Sequence, residues 1–151
     1  APSAAVIFES NSSTSIAVTA MSASLAIAAY INVDTKLTTC VLNISGTTTT
    51  AQTAVNMDNT TGANITRNGS GISKINTTQF MVNYSLGASG TYGIVGILTG
   101  STITHGTKVQ LDSNTGTQDN ANVTIDADRV LAFYAETPPA LNYVNAIVLK
   151  A

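Results

Sequence analysis

Apolar and polar residues alternate with a period of two along most of the chain, and β-branched residues crowd the alternating stretches. That is the pattern of half-buried strands, and helical periodicity is scarce beside it. The pattern predicts strands at residues 4–8, 15–19, 25–33, 36–44 and 79–85, then at 92–98, 108–111, 121–127, 129–136 and 142–149. Turn-forming clusters separate them at 10–13, 59–71, 87–90 and 112–120 and at Pro138-Pro139. The alanine and methionine content of 20–29 would also suit a helix, but its continuation into Tyr30-Ile31-Asn32-Val33 favours a strand. The tract Thr47-Thr48-Thr49-Thr50 reads as an exposed edge or loop. No repeat of fixed period appears, which argues against a Thr-rich solenoid. Strands at this spacing, in a chain long enough for one ordinary domain, predict a single all-β domain built as an antiparallel sandwich or barrel.

One strand stands apart. Ala4-Ala5-Val6-Ile7-Phe8 is a continuous apolar run, as in a strand buried on both faces. The polar stretch Ser10-Asn11-Ser12-Ser13-Thr14-Ser15 follows it and reads as a hinge. Two expectations remain open from the run alone. It is the first strand of the chain's own sheet, or it leaves the domain and completes a sheet of a neighbouring subunit. In the second case the head-to-tail contact does not close and an open filament results. The organisation expected is a donor strand and hinge over residues 1–14 and a β-sandwich over 15–151.

Composition narrows the class. Charged residues make up 9% of the chain, against roughly 25% in ordinary soluble domains. The 24 Thr, 14 Ser and 14 Asn stand where charges normally would. Net charge is −2 with six Lys plus Arg, which argues against nucleic-acid binding by counterion release. No run of 18 apolar residues is present, so no transmembrane helix is expected. The opening Ala1-Pro2-Ser3, without methionine, is read as the product of signal-peptide cleavage and points outside the cell. Scarce carboxylates also predict acid tolerance, since little stabilising ionisation is available to be lost as pH falls.

Eight asparagines fit the N-x-[ST] acceptor pattern: Asn11, Asn43, Asn59, Asn64, Asn68, Asn76, Asn83 and Asn122. Composition alone would give roughly 3.5, so the excess predicts covalent N-glycans. Asn43 and Asn83 fall inside predicted strands, and their side chains must face solvent if they carry sugar.

Little else offers chemistry. His105, the only histidine, falls in the predicted turn Thr104-His105-Gly106 with no nucleophile signature nearby. Cys40 reads as a small buried hydrophobe. One His and one Cys cannot furnish a zinc site of the usual kind. The segment Asp112-Ser113-Asn114-Thr115-Gly116-Thr117-Gln118-Asp119 places oxygens in a calcium-loop manner, with Asp112, Asn114 and Asp119 as ligands. Its glycine comes one place early and Val123 stands where glutamate is needed, so an Asx-rich hairpin turn is the plainer account. No catalytic residue, metal or cofactor is expected, and the chain is read as a non-enzyme.

Taken together, the Ala4 to Phe8 run with its Ser/Asn hinge, the β-rich remainder and the eight sequons resemble the archaeal thread pilins. The resemblance covers the whole chain by overall character, without a sharp motif. It implies an Ig-like or pilin-like β-sandwich with an extended N-terminal donor strand. It further implies a glycosylated subunit of a cell-surface filament that polymerises with copies of itself by donor-strand complementation. Adhesion or biofilm formation would follow, on a cell-surface or carbohydrate target. By that resemblance Ala4, Ala5, Val6, Ile7 and Phe8 are the donor strand, with Val6, Ile7 and Phe8 filling the acceptor groove. Two other readings fit the residues: a monomeric carbohydrate-binding or adhesin sandwich, and a jelly-roll viral coat protein.

Overall fold

The computed structural model describes residues 5, 7–11, 13–64, 71–86, 89–113, 120–136 and 143–150. Within them the chain is all-β, without an α-helix, and its strands form three antiparallel sheets. The first sheet contains β1 (Thr14–Ser22), β2 (Leu25–Ile31), β3 (Leu37–Ser45), β4 (Thr48–Ala51) and β5 (Val55–Asp58). They lie in the order β1-β2-β3, with β4 and β5 sharing the far edge of β3. The middle sheet contains β6 (Ala63–Asn64), β7 (Ile72–Lys74), β8 (Gln79–Leu86), β9 (Thr91–Thr99), β10 (Thr102–His105) and β11 (Val109–Asp112). Here β8 and β9 are central, β6 and β7 pair with β8, and β10 and β11 pair with β9. The third sheet is β12 (Asn120–Thr124), β13 (Arg129–Glu136) and β14 (Tyr143–Lys150), in that order.

The sheets stack in three layers because the period-two alternation supplies each inner strand with two different faces. Ile27, Ala29 and Ile31 of β2 and Leu37 and Val41 of β3 pack against Phe80, Val82 and Tyr84 of β8 and Ile94 and Leu98 of β9. The opposite face of β8 carries Met81, Asn83 and Ser85 toward the third sheet, where Ile75, Met81 and Val130 form a small cluster with Val95 and Leu149. β2 is buried on both faces, as its near-continuous apolar sequence requires. Gly96 is demanded by packing: the Phe80 ring lies across it, and a Cβ there would drive into the ring.

The turns follow local chemistry. Asn32 closes the β2–β3 connection, its Oδ1 accepting from the Lys36 amide at 3.0 Å and its carbonyl from the Thr35 amide at 2.9 Å. This ends β2 at Ile31, two residues short of the predicted limit, and leaves Val33 exposed. Likewise the Ile125 amide donates to the Arg129 carbonyl, so β12 stops at Thr124 and not at Ala127. The Thr tract is strand β4, at a sheet edge as expected. β5, β6, β7 and β10 are additional to the predicted strands, and His105 ends β10 instead of sitting in a turn. Of the predicted first strand, Ala5, Ile7 and Phe8 are described and belong to none of the sheets; Ala4 and Val6 lie outside the described residues.

Candidate functional site

The N-terminal run is rooted on the first sheet. Tyr30 alternates with Ala29 and Ile31, so it faces away from the layer shared with the middle sheet. Phe8 meets its ring edge to face, with centroids 5.5 Å apart. Burial and then the nearby Glu9 carboxylate push the Tyr30 hydroxyl up to about 12. Beside it, Cys40 is fully buried, as predicted, and donates to the Gln52 carbonyl at 3.1 Å. Burial raises its thiol pKa. The Phe8 ring therefore packs on its own chain, whereas the groove-filling expectation placed it in a neighbour. Ile7, next to it, is 80% exposed.

The sequons separate by environment. Asn11 and Asn59 are exposed, Asn43, Asn76 and Asn122 are half-buried, and Asn83 has no exposed surface at all. The expectation that Asn83 faces solvent is thus corrected. It points from β8 into the space beneath the third sheet, where its Nδ2 donates to the Ala121 carbonyl at 3.3 Å. From the other side, Asn122 Nδ2 donates to the Met81 carbonyl at 3.2 Å and to Asn83 Oδ1 at 3.4 Å. Asn120 Nδ2 reaches Ser85 Oγ at 3.1 Å. These amides form an internal polar seam that leaves no room for a sugar on Asn83 in the folded chain. The side chain of Asn64 and all of Asn68 lie outside the described residues.

A second polar centre was not read from the sequence. Asp58, at the end of β5, accepts from Tyr84 Oη at 2.7 Å and from the Thr60 amide at 2.9 Å. Lys108 Nζ lies 2.8 Å from its Oδ2, 2.9 Å from Thr60 Oγ1 and 5.1 Å from the Tyr92 ring centroid. Burial alone would raise the Asp58 carboxyl. The lysine, the Thr60 amide and the Tyr84 hydroxyl outweigh it and hold it at about 2. Burial, and then Asp58 itself, lift the Tyr84 phenol far above its ordinary range. Neither group exchanges a proton near neutral pH, which suits a clasp between β5, β8 and the 106–108 segment better than general acid–base work. The clasp borders an open cleft of about 570 Å³, lined also by Asn59, Ile94 and the exposed His105. Asp58 and Lys108 stand 50 residues apart, and no local motif could have announced their pairing.

Of the calcium-loop candidates, Asn114 and Asp119 lie outside the described residues, and Asp112 is half-buried at the irregular end of β11. Among the described residues no three His, Cys, Asp or Glu side chains gather as a metal site would require. No helix of the described residues is long and apolar enough to cross a membrane. No protein-family model, curated protein or solved structure matches the chain.

Proposed function

We propose that the chain is a structural subunit of an extracellular filament, joined head to tail by its N-terminal apolar run. The observation that carries this reading is Ile7. It is a large β-branched side chain, 80% exposed, in a run whose described residues join no sheet of their own subunit. Leaving such a residue in water forgoes about 1.5–3 kcal/mol that burial in a partner would return. Phe8 and the Ser/Asn stretch behind it supply a fixed root and a hinge. This is the behaviour expected of a thread-like, donor-strand pilin serving adhesion or biofilm formation, and it needs neither catalysis nor a cofactor. Asn11 and Asn59 are the exposed acceptors on which N-glycans would sit, and the Thr, Ser and Asn surface suits life outside the cell.

Electron microscopy and intact mass of native material test the proposal together with the variant Ile7→Asp. Thin filaments, and a mass well above the 15.5 kDa of the bare chain, are the expected results. Ile7→Asp should give folded monomers and no filaments. Filaments unchanged by Ile7→Asp, or monodisperse native particles at the bare mass, would reject it and favour a monomeric adhesin module.

A further inference from the structure

N-glycosylation replaces one of the two protons on an asparagine Nδ2, so it competes with the hydrogen bonds that nitrogen donates in the fold. By that criterion the described sequons divide. Asn76 commits both protons, to Gln79 Oε1 at 2.6 Å and to the Ala127 carbonyl at 3.1 Å. Asn122 does the same in the seam, and Asn83 beside it has no exposed surface. Asn59 is the reverse case. Its Oδ1 lies 3.5 Å from Asn56 Nδ2, and its own Nδ2 has no partner among the described residues. It is exposed and opens the acceptor triplet Asn59-Thr60-Thr61, whose Thr61 is exposed as well.

Asn59 also lines the open cleft beside the Asp58–Lys108 clasp. At about 570 Å³ the cleft falls within the roughly 300–1,000 Å³ of ligand pockets. Its floor is apolar, made by Met57 and Ile94. The charges at its side are already matched, with Lys108 Nζ 2.8 Å from Asp58 Oδ2. An entering anion would therefore meet Asp58, and an entering cation Lys108. The polar groups left unengaged are uncharged: the Thr107 hydroxyl and the Nε2 of His105, whose Nδ1 lies 3.1 Å from the Gly106 carbonyl. An apolar floor under neutral hydrogen-bonding groups suits a polyhydroxyl ring, which presents C–H faces and hydroxyl edges.

We infer that this cleft is a saccharide site, filled by the first sugar of a glycan carried on Asn59 of the same chain; this rests on the glycosylated, extracellular reading above and gives that glycan a seat. In the attachment, Asn59 Nδ2 loses a proton and bonds to the anomeric carbon of an activated glycosyl phosphate. The carbon–oxygen bond to the phosphate breaks, and its electron pair leaves with the phosphate. The new ring starts at the rim of the cleft, where a short covalent tether holds it at an effective concentration of about millimolar. Weak contacts with the floor, Thr107 and His105 are then enough to keep it in place. Seated there, the sugar covers the His105 ring and the 106–108 segment that carries Lys108.

The single histidine supplies the readout. Diethyl pyrocarbonate acylates exposed imidazole, and His105 is exposed in the bare chain. Peptide mass spectrometry of native protein should find a glycan on Asn59. His105 in that protein should react about tenfold more slowly than in Asn59→Gln, the protection of a site filled about nine-tenths of the time. Thr61→Ala, which removes the acceptor pattern and keeps Asn59, should match Asn59→Gln. Equal His105 rates in native protein and both variants would overturn the inference. A bare Asn59 would overturn it too, and sugar on Asn11 beside it would leave the glycosylated filament standing. Filament loss in Ile7→Asp is a separate result, so the two readings fail separately. If neither variant folds, wild-type chain made without glycosylation replaces them: faster acylation supports the inference and an equal rate rejects it.

Discussion

The two interlayer spaces of the molecule are built on different principles. Between the first and middle sheets the contact is a broad apolar core, with Phe80, Val82, Ile27 and Leu37 essentially without solvent exposure. Tyr84 crosses it only to reach Asp58 at its rim. Between the middle and third sheets the apolar cluster is small, and much of the contact is the amide seam of Asn83, Asn120, Asn122 and Ser85. Apolar burial scales with area and dominates stability, whereas a satisfied buried hydrogen bond adds only about 1 kcal/mol net. The first space therefore holds the fold together, and the second fixes the position of the third sheet. Hydrogen bonds have direction, so the seam sets the register of β12 on β8 with little adhesive energy.

Truncations should separate the two spaces. Phe80→Ala removes a ring from the apolar core and is expected to cost about 3–5 kcal/mol. Asn83→Ala deprives the Ala121 carbonyl of a donor and Asn122 Nδ2 of one of its two acceptors, and is expected to cost about 1–3 kcal/mol. Denaturant unfolding of both variants checks the order. Equal losses would mean that the seam bears as much of the fold as the core does.

The rim of the apolar core gives a smaller, pH-dependent effect. With the Asp58 carboxyl at about 2 in the fold and near 3.9 in the unfolded chain, its contribution is fully present above about pH 4. It is lost as the pH falls toward 2. The fold should therefore resist acid down to about pH 4 and weaken below it. Lys108→Met removes the strongest partner that holds the carboxyl down and should cost about 2 kcal/mol at pH 7. Melting temperatures measured from pH 7 to pH 2 should show the gap between variant and wild type closing below pH 4. A gap that stayed constant with pH would mean that the lysine acts by packing alone.

What the sequence disclosed follows from the range of the signals. β2, β3, β8, β9, β13 and β14 carry enough alternating residues to be read within a residue or two of their bounds. β5, β6, β7 and β10 have two to four residues each at sheet edges, too few for a period to register. The sequon at Asn83 is a three-residue pattern, but its burial is imposed by β12, some 40 positions further on. For the same reason Lys108 could not be assigned to Asp58. The division into three sheets was equally hidden, because alternation shows that a strand has two faces and not what each face meets.

We propose above all that the exposed N-terminal run around Ile7 is covered by a neighbouring copy when the filament forms. Amide hydrogen exchange, compared between Ile7→Asp monomers and wild-type filaments, addresses it most directly. Slow exchange is expected in β2, β3 and β8 in both samples, with the Ala5 and Ile7 amides exchanging fast in the monomer and becoming protected in the filament. Equal protection of the Ala5 and Ile7 amides in monomer and filament would contradict it.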